Sequence, residues 1–81
     1  MTRILVIEDN RNLATGLRNN LEIEGYEVDV ASDGTNGLSL AQSSTPDLII
    51  LDLMLPGMDG YRVLRTLREE GSDTPVLILS A

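Results

Sequence analysis

The chain has 81 residues, 13 acids against six basic residues, a net charge of −7, and no cysteine or histidine. That length suits one small domain. The composition excludes disulfides and thiolate or imidazole metal sites, and the acidic balance argues against direct nucleic-acid contact, which needs a basic footprint.

Ile4 to Ile7 is a continuous apolar, β-branched run, read as a strand buried on both faces. The short Met1-Thr2-Arg3 leader and the absence of a long apolar run predict neither signal peptide nor membrane span, and so a cytoplasmic chain. A helix is expected from about Arg11 to Glu24, with Leu13, Ala14, Leu17 and Leu21 inward, Ile23 off that face, and Gly25 as the stop. Tyr26 to Ala31 alternates, with Tyr26, Val28 and Val30 on one side, which predicts a half-exposed strand near a sheet edge.

Ser32-Asp33-Gly34 is a turn and cap signal before a weaker helix over about Thr35 to Ser43, with Leu38 and Ala41 inward. Ser43-Ser44-Thr45-Pro46 breaks it. Leu48 to Leu51 is a second fully apolar strand ending at Asp52, and the loop Leu53 to Gly57 follows. A third helix begins near Met58-Asp59-Gly60, with Val63, Leu64 and Leu67 on one face, and stops near Gly71; Asp59 suits a helix start, and Tyr26 and Tyr61 are read as packing residues. Val76 to Leu79 reads as a last strand, also buried on both faces.

Strands alternating with helices specify an α/β fold: an open parallel sheet with right-handed crossovers and helices on both faces. Ligands of such sheets bind beyond the carboxyl ends of the strands. Those ends carry Glu8-Asp9, Asp52 and Ser80. The two most apolar strands are expected as central neighbours, which crowds three carboxylates into one crevice. Two unit charges ~4 Å apart repel by roughly 4 kcal/mol at an effective dielectric of 20. With no Lys or His in the chain, a divalent cation held by oxygen is the natural counter-charge. Asp9 is also a candidate cap for the first helix, in competition with Asn10.

Glu8-Asp9, Asp52, the loop Leu53-Met54-Leu55-Pro56-Gly57-Met58-Asp59-Gly60 and Leu79-Ser80-Ala81 together resemble the receiver domain of response regulators in two-component signalling. The resemblance covers the whole chain in order, and the stretch from Leu51 to Gly60 is its most specific part. It implies a flavodoxin-like receiver fold with strand order 2-1-3-4-5, of which residues 1–81 lack the last strand and last two helices, so the chain is expected to be the N-terminal part of a longer regulator. That missing part would carry the family's phosphoryl-pairing lysine. The resemblance also implies a phosphorelay role. Asp52 would accept the phosphoryl group of a sensor histidine kinase. Mg2+ would be held by Asp9, Asp52, the Met54 carbonyl and, through water, Glu8. The Ser80 hydroxyl would bond the phosphoryl oxygen, and Pro56 and Gly57 would shape the loop. Catalysis is expected only of the domain's own phosphotransfer and dephosphorylation. The parent would be a response regulator, with regulation of transcription as its candidate output. A fourth strand left as an edge is expected to drive self-association. The competing readings are a binding or assembly domain that works without phosphorylation and a magnesium-dependent phosphohydrolase. The phosphohydrolase is disfavoured because Leu53 and Met54 follow Asp52 where such enzymes place an Asp-x-Asp pair.

Overall fold

A computed structural model describes residues 1–79. The elements are β1 (Arg3–Ile7), α1 (Arg11–Ile23), β2 (Glu27–Ala31), α2 (Gly34–Ser44), β3 (Leu48–Asp52), α3 (Gly60–Glu69) and β4 (Val76–Leu79). The four strands form one parallel sheet in the order β2-β1-β3-β4. The two most apolar runs, β1 and β3, are indeed the inner pair, because only inner strands can bury both pleated faces.

Successive β1 side chains point to opposite faces and found two cores. Leu5 and Ile7 pack with Ile49, Leu51, Ala41, Val63 and Leu67, under α2 and α3. Ile4 and Val6 pack with Val28 and Ile50, and Leu17 and Leu21 of α1 close over them.

Each helix starts at a side-chain cap. Asn10, Asp33 and Asp59 accept the backbone N–H of Leu13, Asn36 and Arg62 at 3.1, 2.7 and 2.9 Å. The first bond settles the question left open at the first helix: Asn10 caps α1, and Asp9 is free of that role. Gly25, at φ +97°, follows the α1 C-cap Glu24, and Thr45, at φ +46°, ends α2 one residue before Pro46.

Three readings of packing are corrected. Leu13 is 46% exposed, because the inward stripe runs through Ala14, Leu17 and Leu21 and a one-residue step turns Leu13 aside. Tyr26 precedes β2, donates its N–H to the Leu21 carbonyl as part of the turn, and is exposed. Tyr61 lies on the outer side of α3 and is exposed as well. The last strand has the apolar pattern of a strand covered on both faces, but it stands as the expected edge: Leu77 and Ile78 are 54% and 41% exposed, because β4 is the outer strand among the described residues. No helix among the described residues is long and apolar enough to cross a membrane.

Candidate metal and phosphoacceptor site

The parallel register pairs Ile7, the last residue of β1, with Leu51, the next-to-last residue of β3. The next residues are Glu8 and Asp52, brought side by side by the ladder rather than by any loop. Glu8 extends the ladder by one bond, its N–H donating to the Ala31 carbonyl at 3.0 Å. Asp9 stands beyond it, exposed, and Asp52 is half-buried. One carboxylate oxygen from each of Glu8, Asp9 and Asp52 lies within 4.8 Å of the others. The sequence reading named these three residues, and the fold brings all three together.

Asp52 is held by its own chain. Its Oδ1 accepts the Met54 N–H at 3.0 Å, a tight turn that orients the carboxylate across the strand ends. Met54 is 79% exposed, and it meets Asp52 through its backbone N–H. Gly57, at φ +75°, makes the loop turn that the Pro56-Gly57 pair announced. Ser80 lies outside the described residues. The ladder that leads toward it pairs Asp52 with Leu79.

Glu8 is the unusual member of the cluster. It is only 5% exposed, and its Oε2 is buried with no hydrogen-bond partner. Burial comes first among the causes that push its carboxyl from an ordinary 4.5 to about 7, followed by a hydrogen bond to Asp52 that favours the protonated form and by the charges of Asp52 and Asp9. A buried carboxylate oxygen without a partner is costly. A hard cation meets that need, and the donor set consists of the oxygen ligands that Mg2+ prefers. The residues therefore fit the metal that the resemblance implies.

The raised Glu8 carboxyl predicts an unusual pH profile for the metal-free protein. From about 4.5 to about 7 the folded state keeps a proton that the unfolded chain releases, so stability falls as pH rises through this window. The loss attributable to Glu8 is expected to approach about 3 kcal/mol by pH 8 or so. Glu8→Gln is expected to remove that part of the slope, and a cation taken up by the deprotonated cluster would offset it. Urea melts in EDTA at several pH values check this. Identical slopes for the wild type and Glu8→Gln would contradict it.

Beside the cluster, a crevice of about 230 Å³ runs between α1 and the end of β2, lined by Glu8, Asp9, Arg11, Thr15, Arg18 and Ser32 among others. The sequence reading did not single out the basic wall of this crevice. Arg11 and Arg18 lie seven positions apart, two turns of helix, and that spacing was the available signal.

The chain is similar to known proteins over nearly its whole length. The model of the response regulator receiver domain matches residues 4–81. The response regulator MprA of Mycolicibacterium vanbaalenii is 46% identical over 79 residues, which are 98% of this chain and 34% of that protein. MprA of Mycobacterium avium is 44% identical over the same length. The chain thus spans about a third of the length of the curated relatives it matches. Among solved structures, the receiver domain of the Francisella response regulator 1452 superposes with a TM-score of 0.96 at 36% identity, covering all of this chain and 67% of that one. The response regulator TrrA of Thermotoga maritima, in complex with Mg(2+)-BeF, superposes at 0.93 with 38% identity, covering all of this chain and 70% of that one. With a match over nearly its whole length and a fold shared with these structures, the chain belongs to the response regulator receiver domain family.

Proposed function

We propose that this chain is a phospho-accepting module that takes a phosphoryl group from the phosphohistidine of a sensor histidine kinase onto Asp52. The observation that carries the proposal is the cluster of Glu8, Asp9 and Asp52, with an unpartnered buried oxygen on Glu8. A carboxylate oxygen of Asp52 attacks phosphorus, the P–N bond to the imidazole breaks, and the electron pair leaves with the imidazole nitrogen, which takes up a proton. Phosphoryl transfer of this kind needs positioning and charge neutralisation more than covalent assistance. Met54 N–H fixes the attacking carboxylate. Asp9 and Asp52, with the Met54 carbonyl, are the proposed direct ligands of Mg2+, and Glu8 is the proposed outer partner through water. The cation supplies neutralisation of an incoming group of about −1.5 to −2 charge. Ser80 is proposed to bond the phosphoryl oxygen. The TrrA complex with Mg(2+)-BeF supports the choice of metal.

This reading makes the chain a signalling module of the cytoplasm, catalytic only toward its own phosphorylation and dephosphorylation. Its parent is proposed to be a response regulator that acts on transcription through a part other than this acidic one. Incubation with acetyl phosphate and Mg2+, followed by intact-mass measurement, tests the reading. One added phosphoryl group, absent in EDTA, is expected; no gain under either condition would favour a phosphorylation-independent binding role.

The exposed Leu77 and Ile78 on an outer strand favour self-association of the 81-residue chain on its own. Two β4 edges pairing across a two-fold axis is the simplest geometry. Sedimentation at micromolar concentration is expected to find dimers for the wild type and monomers for Leu77→Lys. A monomeric wild type would refute this expectation.

A further inference from the structure

Gly60 is the first residue of α3, and its backbone is not among the left-handed glycines Gly25, Gly57 and Gly71. Conformational freedom is therefore not why glycine stands there. A Cβ at Gly60 would overlap the Asp52 carbonyl oxygen and come within 2.6 Å of Leu53 Cα, both rigid backbone. The Gly60 N–H donates to the Leu53 carbonyl at 3.0 Å. The start of α3 is thus pressed directly onto the backbone of Asp52 and Leu53. On the other side of the same loop, a Cβ at Gly34, the first residue of α2, would come within 2.7 Å of the Met58 carbonyl carbon. The loop from Leu53 to Asp59 is held between the first turns of two helices.

We infer that Gly60 is a positioning residue: its bare Cα lets α3 seat against the Asp52 backbone and so sets where the Asp52 carboxylate and the Met54 backbone stand relative to Glu8 and Asp9. The inference rests on the proposed role of Asp52, but it is read out separately from phosphorylation. A methyl group at position 60 cannot be absorbed by side-chain rotation, because the atoms it meets are main chain. Either α3 tilts away, loosening the bond from Gly60 N–H to the Leu53 carbonyl, or the Asp52–Leu53 peptide shifts, and either change is expected to loosen the bond from Met54 N–H to Asp52 Oδ1. Sub-ångström displacement of a ligand set is enough to change metal affinity, as loss of an orienting partner typically weakens it by about 10- to 100-fold.

The test uses Gly60→Ala with Gly25→Ala as control. Gly25 has a left-handed φ and open space around it, so alanine there strains the fold without touching the site. Two quantities are measured: Mg2+ affinity by calorimetric titration, and Met54 amide hydrogen exchange in EDTA. Gly60→Ala is expected to weaken Mg2+ binding by about tenfold or more and to speed Met54 exchange. Gly25→Ala is expected to lower the unfolding midpoint with Mg2+ affinity within about twofold of wild type. Wild-type affinity and exchange in Gly60→Ala would overturn the inference, as would equal losses in both variants. If Gly60→Ala does not fold, Asp59→Ala, which removes the Arg62 N–H cap at the start of α3, is compared with Asp59→Asn, which keeps it. Weaker binding by Asp59→Ala than by Asp59→Asn supports the inference, and equal binding overturns it. Acetyl phosphate labelling of the wild type reports on the proposed function alone, so failure there is distinguishable from failure here.

Discussion

Asp52→Asn is expected to reduce phosphoryl labelling by roughly a hundredfold or more while leaving the fold intact. The carboxylate is the nucleophile in the proposed transfer, and an amide oxygen in its place cannot form a stable acyl phosphate. Folding should survive because an asparagine Oδ1 can still accept the Met54 N–H that Asp52 accepts at 3.0 Å. The substitution also removes one charge next to the buried Glu8, whose carboxyl Asp52 helps push up. In EDTA the variant should therefore be as stable as the wild type, or more so by about 1 kcal/mol. Near-ultraviolet and amide spectra check the fold, and intact-mass measurement checks the labelling. Stoichiometric labelling of Asp52→Asn would remove Asp52 from the mechanism.

Asp9→Asn is expected to reverse the usual sign of a point mutation. Most substitutions destabilise. Here the wild type confines three carboxylates whose oxygens come within 4.8 Å of one another. Removing one charge should raise the stability in EDTA, and the unfolding midpoint with it, by about 1 kcal/mol after allowance for the solvent around exposed Asp9. Mg2+ should cancel that advantage. A ligand at ten times its Kd stabilises by about 1.4 kcal/mol, and the variant has lost a ligand for it. Denaturant titrations of both proteins, with and without Mg2+, should show the ranking narrow or cross. A less stable Asp9→Asn in EDTA would make Asp9 a structural residue.

The legible parts of this molecule were those that depend on pattern along the chain. The unbroken apolar runs at Ile4 to Ile7 and Leu48 to Leu51 announced the two inner strands, and the acids at their ends announced the cluster. Asp59 announced the start of α3, and it caps that helix. What pattern could not supply was the outcome of packing. Periodicity put Leu13 and Ala14 on one inward face, but only Ala14 is covered, because the rest of the covered stripe runs through Leu17 and Leu21. The apolar run Val76 to Leu79 carried the signature of a buried strand, yet its burial depends on a neighbour that the strand's own residues do not specify.

Glu8 was read as a secondary acid assisting through water. Its near-complete burial accompanies the extra ladder bond to Ala31, and both are tertiary outcomes with no signature in the chain. Gly60 was read as part of a loop motif. Its reason is the backbone of Asp52 pressed against it, and a missing side chain leaves no trace of what it makes room for.

The central claim is that Asp52, and no other residue, receives the phosphoryl group. Chemical trapping tests it most directly. An acyl phosphate on aspartate is reduced by borohydride to homoserine, whereas phosphoserine, phosphothreonine and phosphotyrosine are not. After incubation with acetyl phosphate and Mg2+, peptide sequencing by mass spectrometry should find homoserine at position 52 and at no other position, and none when EDTA replaces Mg2+. Homoserine at Glu8's neighbour Asp9 instead, or an unreduced Asp52 in protein that has gained a phosphoryl group, would contradict the account.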